Sequence, residues 1–361
     1  VHALVRDEKG QKMSKSKGNV IDPLILIDKY SADALRFTLL SMSSPGRDVK
    51  LSEDRVKGYR NFLNKLWNAN NFLAMNKCDF SKSKKEPKVK LNINKWIISE
   101  LNTVSKLIEK NINDYRFDEA ARNIYQFVWH SYCDWYVELS KTILNSKEKS
   151  SISEVKQTLS YVFKQILILL HPFIPFITEE LWLKNKLDKP KNYLMFANWS
   201  NKKANKDKQI KEVENIINLI SQLRAFKNEL NVSPGSFVDM SISTLSKNDQ
   251  LFIKKNQTVL KKLGRINSFL DTDKDKASAN LVIKGDIFKI YFDQSIDLSL
   301  IKENLLKRQQ KYQSELDGIS KRLSNKSFVE RAPKNIVDQE KNNYSNLKKD
   351  IDKISITIKG L

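Results

Sequence analysis

A short segment near the start of the sequence combines residue types that can bind a triphosphate. It reads Lys-Met-Ser-Lys-Ser-Lys-Gly-Asn and covers residues 12–19. Its lysines can neutralise phosphate oxygens, its serines can donate hydrogen bonds, and Gly18 can take a positive φ that lets the backbone approach a ligand. By composition alone, such a run of lysines and serines is more often a solvated turn. The residues therefore leave two interpretations, a phosphate-binding loop and a solvated turn.

The elements that must hold this loop are short. An apolar stretch at residues 3–5 predicts an extended segment before the loop. After the loop, Asp22 is a good N-cap and Pro23 a good first helical residue, so a helix is predicted to begin there. A second helix, at residues 32–39, is predicted to end at the Ser-Pro-Gly sequence of residues 44–46. The loop is thus expected to lie between a strand and a pair of helices.

Composition favours a polyanionic partner. The chain has 361 residues, with 64 Lys and Arg against 42 Asp and Glu, which gives a formal net charge of +22. A surplus of this size favours binding to RNA, whose phosphates supply the opposite charge. A biased codon supply that fills solvated helix faces with lysine would give the same composition without such a partner. The hydrophobic fraction of 40% is sufficient for the cores of two or three domains.

Two further features bear on the compartment and on metals. The sequence contains neither an apolar run long enough to span a bilayer nor a signal peptide at its start. Its cysteines, Cys78 and Cys133, lie far apart, which suits a reducing compartment and offers neither a disulfide framework nor a zinc site. We therefore expect a cytoplasmic protein without a membrane partner, without zinc and without another metal site of its own.

Helical periodicity dominates the sequence after residue 50. Residues 51–232 carry apolar side chains at helical spacing and predict an α-helical bundle, broken by the run His-Pro-Phe-Ile-Pro-Phe at 171–176. Residues 233–294 alternate apolar and polar side chains around one helix and predict a small α/β subdomain. In residues 295–361 the apolar positions step by three and four on both sides of a central Ala-Pro, which predicts an antiparallel helical hairpin. The expected fold class is mainly α.

The residue order of the lysine-serine loop is more informative about function than its composition. KMSKSKGNVIDP, at residues 12–23, resembles the second signature of class I aminoacyl-tRNA synthetases, in the branch that handles aliphatic amino acids. Three later segments resemble valyl-tRNA synthetases: GRDVKLSEDRVKGYRNFLNKLWNANNF at 46–72, YCDWYVELSK at 132–141 and LLHPFIPFITEELW at 169–182. The segment SFVERAPKNIVDQE at 327–340 and the hairpin that contains it resemble the coiled-coil arm of that family. Isoleucine-specific relatives usually end in a cysteine-bearing zinc module, which two distant cysteines cannot supply.

The resemblance implies a role for each region. Residues 1–50 would be the end of a Rossmann-like catalytic domain, residues 51–232 an α-helical anticodon-binding domain, and residues 295–361 a coiled-coil arm that binds tRNA. A small α/β subdomain at residues 233–294 would connect the last two. The resemblance also implies ATP as a substrate with Mg²⁺, L-valine and tRNA(Val) as partners, and valyl-adenylate as the intermediate.

In this family the loop closes on ATP while negative charge builds on the α-phosphate and on the departing pyrophosphate. The resemblance implies that Lys15 is the main stabiliser of that charge and that Lys12 is its partner in catalysis. Met13 would anchor the loop in an apolar pocket. The resemblance assigns ATP binding to seven residues: Lys12, Met13, Ser14, Lys15, Ser16, Gly18 and Asn19.

Basic side chains beside apolar positions predict where RNA binds in the second half of the sequence. We expect contacts with tRNA from seven residues: Arg224, Lys227, Lys307, Arg308, Lys311, Lys348 and Lys349. The alternative for the arm is a pair of ordinary surface helices with solvated lysines. His130 and His171 lie among aromatic residues and leucines, and we expect core or helix-kink positions for them rather than ligands or bases.

Two parts of the family's enzymes do not occur in these 361 residues. One is the first class I signature, a His-Ile-Gly-His-like turn that binds the adenine and phosphate end of ATP. The other is the inserted domain that edits misacylated tRNA. We therefore expect an N-terminal half elsewhere to carry both, and we expect the chain alone to be inactive. The alternative is a non-catalytic, basic tRNA-binding protein that retains a vestigial ATP loop.

Overall fold

A computed structural model describes residues 4–83, 85–187, 193–199, 210–274, 278–292, 298–325, 327, 333–359 and 361. The chain forms two compact units, Val1–Glu214 and Asn215–Leu361. Helices make up most of both units, and each of the two also contains a small β-sheet. The mainly α fold predicted from the periodicity is therefore confirmed. No helix among the described residues is long and apolar enough to cross a membrane.

The first unit begins with two short parallel strands joined by the lysine-serine loop and a pair of helices. In chain order these elements are β1 (Val5–Arg6), α1 (Pro23–Tyr30), α2 (Ala32–Met42) and β2 (Val49–Lys50). Asp22 caps α1 as predicted, because its carboxylate accepts a hydrogen bond from the amide of Leu24 at 2.8 Å. The sequence did not predict β2, since two residues are too few to show an alternating pattern.

The rest of the first unit is a helical bundle. Its helices are α3 (Glu53–Met75), α4 (Asn92–Asn113), α5 (Phe117–Gln126), α6 (Val137–Leu144), α7 (Lys149–Leu170) and α8 (Pro175–Lys184). Between α5 and α6 the backbone continues as a π-helix, Phe127–Tyr136, which the apolar spacing did not predict. Buried aromatic side chains fill the core, and Tyr132, Tyr136 and Phe163 are among the largest of them. The predicted break after α7 is confirmed, and Pro175 itself opens α8, where the first turn needs no amide donor.

Two residues of α2 attach the loop region to the bundle within this unit. The carboxylate of Asp33 accepts hydrogen bonds from the amides of Ile177 at 2.7 Å and Phe176 at 3.3 Å, both in the first turn of α8. Arg36 donates to the carbonyl oxygens of Pro172 and Phe173 at 3.3 and 3.4 Å. Burial raises the pKa of Asp33, while the two backbone amides oppose that shift. The strand and helices that carry the loop are thus fixed to α8.

The second unit contains a four-stranded sheet with strand order β4-β3-β6-β5. Its elements before the arm are α9 (Ile210–Glu229), β3 (Val238–Ser241), α10 (Lys247–Gly264), β4 (Ile266–Leu270), β5 (Ala279–Ile283) and β6 (Asp286–Phe292); α9 belongs to this unit from Asn215 onward. Strands β3 and β4 are parallel, and the other two pairs are antiparallel. The sequence predicted three of these strands and the helix. It did not predict β4, because β4 follows α10 without a separating run of turn residues.

The second unit ends in an antiparallel helical hairpin, as predicted. Its helices are α11 (Leu298–Ser324) and α12 (Lys334–Ile358). Gln309 donates to the hydroxyl of Ser355 at 2.7 Å, and Arg322 pairs with Glu340 at 3.1 Å. Later residues of α11 therefore pair with earlier residues of α12, so the two helices are antiparallel. The apolar seam between the helices is buried at Ile301, Leu305, Leu316, Ile319, Val337 and Ile354.

The base of the hairpin is also bonded to the sheet. The amide group of Asn280 in β5 donates to the carbonyl of Ile356 at 3.1 Å, and the hydroxyl of Thr357 donates to the carbonyl of Asn280 at 3.1 Å. The apolar spacing predicts a hairpin whose two helices bury each other's apolar side chains. It gives no sign of the hydrogen bonds between the hairpin and the sheet. The hairpin is therefore anchored at its base.

Candidate ATP loop and RNA-binding surfaces

Asn19 closes the lysine-serine loop. Its side-chain nitrogen donates to the carboxylate of Asp7 at 2.9 Å and to the carbonyl of Lys12 at 3.2 Å. Its side-chain oxygen accepts from the amide of Ser14 at 3.0 Å. The hydrogen bond from Asn19 lowers the pKa of Asp7, which keeps that carboxylate ionised as an acceptor. The sequence reasoning missed Asp7, whose signal is an acid placed just before a segment rich in lysine.

The tip of the loop is a single 3₁₀ turn over Lys15–Lys17, which Ser14 precedes. The hydroxyls of Ser14 and Ser16 lie 3.2 Å apart, within hydrogen-bonding distance. Gly18 ends the turn at φ 65°, and its amide donates to the carbonyl of Lys15 at 3.1 Å. A Cβ at Gly18 would meet nothing within 4 Å, so glycine is favoured there by its backbone conformation and not by crowding.

The ammonium groups of the loop are available to a ligand. Lys12, Lys15 and Lys17 are exposed, and no acidic side chain in the described part of the chain pairs with them. Met13 is half-buried beside them. Exposed positive charges without partners produce a strong local potential that a polyphosphate can neutralise. The structure therefore gives the loop a hydrogen-bonded frame and a cationic tip.

The five basic residues predicted on the hairpin differ in their freedom to bind RNA. The Lys307 ammonium pairs with Glu303 at 2.6 Å, and the half-buried Arg308 donates to the hydroxyl of Tyr312 at 3.1 Å. The other three are exposed: Lys311, Lys348 and Lys349. The outer faces thus present several cations that the apolar seam does not require.

The structure corrects the position expected for Lys227. Its side chain is 1% exposed, and its ammonium group donates to the carbonyls of Ser236 at 2.8 Å, Gly264 at 3.1 Å and Arg265 at 3.4 Å. A lysine with this burial and these partners cannot face RNA phosphates. Arg224, by contrast, is exposed, and its guanidinium donates to the carbonyl of Leu263 at 3.0 Å.

The remaining titratable candidates have structural environments. His171 lies at the helix break, as expected, with Nδ1 2.9 Å from the hydroxyl of Thr178. The expected core position is wrong for His130, which is exposed and lies 3.2 Å from Asp134. Burial raises the pKa of the Cys78 and Cys133 thiols to about 11 and about 12, so both stay protonated near neutral pH. Among the residues that the structure describes, no group of three His, Cys, Asp or Glu side chains could hold a metal ion.

Family models match three parts of the chain. Residues 1–52 match class I tRNA synthetases for isoleucine, leucine, methionine and valine. Residues 94–242 match the anticodon-binding domain of tRNA ligases, and residues 297–361 match the tRNA-binding arm of valyl-tRNA synthetases. Together with the signature loop, these matches define a class I aminoacyl-tRNA synthetase sequence.

Comparison with individual proteins identifies the family within this class. The chain is 66% identical over 362 residues to a valine–tRNA ligase of Pelagibacter ubique and 40% identical over 367 residues to one of Zymomonas mobilis, with 100% of the chain covered in both. The chain therefore belongs to the valine–tRNA ligase family, and it spans 41% of the length of each of these relatives. A LeuRS of Agrobacterium radiobacter K84, solved as a ternary complex with tRNA and LeuAMS, has a TM-score of 0.44 at 18% identity. That alignment covers 72% of this chain and 28% of the LeuRS chain.

Proposed function

We propose that the chain supplies the ATP loop and the tRNA-binding domains of a valine–tRNA ligase. The complete enzyme would activate L-valine with ATP to valyl-adenylate and transfer the valyl group to tRNA(Val). The observation that carries the proposal is the 66% identity to a valine–tRNA ligase along the whole chain. The cationic loop and the basic hairpin agree with it, because each presents exposed lysines to an anionic substrate.

The proposed chemistry of the loop is electrostatic. A carboxylate oxygen of valine attacks the α-phosphorus of ATP, the bond from that phosphorus to the bridging oxygen breaks, and pyrophosphate leaves. Lys15, with Lys12, stabilises the negative charge that develops on the α-phosphate and on pyrophosphate. Asn19 and Gly18 hold the turn that presents these ammonium groups. The other three ATP-binding residues are Met13, Ser14 and Ser16.

Magnesium belongs with the nucleotide in this proposal. The described residues offer no cluster of carboxylates for a resident ion. Mg²⁺ binds readily to substrate phosphates while it keeps several waters, so we write the substrate as magnesium ATP. The contribution of this chain is the set of lysines and hydroxyls of the loop.

The proposed tRNA contacts divide by region. Residues 51–232 would bind the anticodon end, and residues 295–361 would bind the backbone through Lys307, Arg308, Lys311, Lys348 and Lys349. Residues 1–50 would belong to the catalytic domain, and residues 233–294 would connect the bundle to the arm. We further propose that other parts of the whole protein bind adenine and valine and edit misacylated tRNA, and that the enzyme works in the cytoplasm.

A hybrid enzyme tests the proposal. This chain replaces the matching part of the Pelagibacter ubique valine–tRNA ligase, to which it is 66% identical. We expect the hybrid to charge tRNA(Val) with valine at a rate within about tenfold of the unmodified enzyme, since a factor of ten corresponds to only about 1.4 kcal/mol of the barrier. A folded hybrid that binds tRNA(Val) but shows no valine-dependent pyrophosphate exchange would favour the alternative, a tRNA-binding protein with a vestigial ATP loop.

A further inference from the structure

An exposed aromatic ring lies beside an arginine in the second unit, and a second arginine bonds the neighbouring backbone. The guanidinium carbon of Arg265 lies 5.5 Å from the centre of the Phe237 ring, and Phe237 is 51% exposed. Arg224, on α9, bonds the backbone two residues before Arg265, because its guanidinium donates to the carbonyl of Leu263 at 3.0 Å. We call Arg224, Phe237 and Arg265 the basic-aromatic surface.

The backbone of Arg265 is in an unfavourable conformation. Arg265 follows α10 with φ 54° and ψ 51°, the left-handed region that helix C-caps usually fill with glycine. Gly264, one residue earlier, does not have a positive φ. Glycine is favoured there by crowding, because a Cβ would lie 3.1 Å from a methyl carbon of Ile266. An arginine in the left-handed position is less stable than glycine would be. Lys77, Tyr115 and Lys186 take the same conformation just after helices of the first unit, so the backbone of Arg265 shows only that glycine would be tolerated there.

Buried Lys227 holds the surface together from below. Its ammonium group donates to the carbonyls of Ser236, Gly264 and Arg265, which precede Phe237 and end α10. The amide of Val238 also donates to the carbonyl of Arg265 at 3.1 Å. These bonds connect the start of β3 to the start of β4, and they place the Phe237 and Arg265 side chains next to each other.

The charge of the surface favours an anionic ligand. Burial and the nearby charges of Arg224 and Arg265 lower the pKa of Lys227 to about 8, so three cationic groups lie close enough to repel one another. Asp239, the acidic residue of β3, bonds Lys274 at 2.5 Å. A phosphate group would relieve this repulsion.

We propose that the basic-aromatic surface binds an unpaired nucleotide of tRNA, with the base stacked on Phe237 and a phosphate held by Arg224 and Arg265. The inference rests on the proposed function, because its ligand is tRNA. Aromatic rings stack with any base, and guanidinium groups bind phosphate through paired hydrogen bonds. An acidic protein segment would satisfy the arginines but has no use for the exposed ring beside Arg265. The combination of ring and charge therefore favours single-stranded RNA.

Two variants of the full 361-residue chain test the inference, with the affinity for a tRNA(Val) transcript as the measurement. Phe237→Leu removes the stacking ring, and Arg265→Gly removes the guanidinium. We expect each to weaken binding about tenfold, the lower part of the range for one stacked base. The Arg265→Gly chain should melt at the same temperature as the parent or above it, since glycine suits the left-handed conformation. The double variant should lose less than the product of the two factors, because both side chains hold one nucleotide.

Matched controls separate this surface from general charge and exposure. Phe196→Leu changes a phenylalanine that is 66% exposed in the first unit. Lys247→Gln removes one charge from the other end of α10, roughly 26 Å away along the helix axis. Both should bind tRNA(Val) within about twofold of the parent, well below the loss expected for a stacked base.

The outcomes distinguish the inference from the proposed function. If the parent chain binds tRNA(Val) and the Phe237→Leu and Arg265→Gly variants bind it equally well, the inference is wrong and the proposed function stands. If the parent chain does not bind tRNA, the proposed function itself fails. A single-stranded oligouridylate should compete with tRNA for the parent more strongly than for Arg265→Gly. Competition by polyglutamate instead of oligouridylate would assign the surface to an acidic protein segment and overturn the inference.

Discussion

In the lysine-serine loop, Asn19 and Lys15 have opposite environments although they lie four residues apart. Asn19 uses its side-chain amide to join Asp7, Lys12 and Ser14, so it holds the loop in place. Lys15 is exposed at the tip, with its ammonium group in solvent. An exposed ammonium group that makes no ion pair with the described residues contributes little to stability, and it can interact strongly with an anionic ligand.

The first residue-scale prediction concerns Lys15 in the hybrid enzyme. Lys15→Ala should lower valine-dependent pyrophosphate exchange by about a hundredfold or more, because the lost interaction acts on charge in the transition state. The affinity for tRNA(Val) should stay the same. Lys9→Ala is the matched control, since Lys9 is also exposed but lies outside the signature. An equal effect of both substitutions on exchange, or a loss of tRNA affinity with Lys15→Ala, would count against the assigned role.

The second residue-scale prediction concerns the buried Lys227. Its pKa in the folded chain is lowered from 10.5 to about 8, chiefly by burial, so between these values the unfolded chain binds more protons than the folded one. Stability should therefore rise with pH across this window and should not depend on this group below it. The measurement is the free energy of unfolding of the wild type and of Lys227→Met at pH values from about 7 to about 10.

The difference between the two chains isolates the lysine from other titrating groups. The wild type should gain stability over Lys227→Met as the pH rises above about 8. The variant should be the less stable chain throughout, because three carbonyls lose their donor. Parallel pH curves would show that the ammonium group of Lys227 has an ordinary pKa.

At the scale of elements, the arm has three distinct parts. Its seam is apolar and buried, its base is bonded to β5 through Asn280, and its outer faces carry exposed lysines. The outer lysines lie outside the apolar seam and outside the hydrogen bonds at the base, so we expect their replacement to leave the hairpin folded. This separation makes the arm suitable for a charge experiment.

The element-scale prediction replaces four arm lysines by glutamine: Lys307, Lys311, Lys348 and Lys349. The slope of log affinity for tRNA(Val) against log salt should become shallower by about two to four units, since each lost phosphate contact removes roughly 0.9. Replacing the same four lysines by arginine keeps the charge and should leave the slope unchanged. The melting temperature should be similar in all three chains. An unchanged slope in the glutamine chain would mean that these charges are only solvated.

The elements show which structural features the sequence could predict. Long amphipathic helices and the arm were predictable, because apolar positions repeat over many turns in α4, α7 and the hairpin. Strands β2 and β4 were not, since one has two residues and the other follows a helix directly. The π-helix between α5 and α6 was also missed, because it keeps nearly the same apolar spacing as an α-helix.

The misplaced Lys227 shows a different limit. On α9 it lies four residues after Leu223 and three before Leu230, both buried, so helical spacing alone predicts a buried position. The residue type predicts the surface instead, because lysine is seldom fully buried without partners. Its partners are three backbone carbonyls that only the tertiary structure brings together. The sequence could thus predict that this region is basic but not which of its cations face the solvent.

At the scale of the whole molecule, the chain contains both the cationic lysine-serine loop and the exposed lysines of the arm. Its net charge of +22 favours association with any RNA, and this attraction weakens as salt rises. The match to an anticodon-binding domain over residues 94–242 adds an expectation of sequence selectivity. Charge and selectivity can be separated by experiment, because only selectivity depends on the bases of the anticodon.

The most direct measurement is the affinity of the purified chain for tRNA(Val), compared with the same transcript carrying the anticodon of another amino acid. The backbone is identical in the two RNAs, so nonspecific attraction cancels in the ratio. We predict that both affinities fall steeply with salt and that tRNA(Val) binds at least about tenfold more tightly, the effect of one or more base contacts. Equal affinity for the two transcripts at all salt concentrations would contradict the proposal that this chain recognises the tRNA of a valine–tRNA ligase.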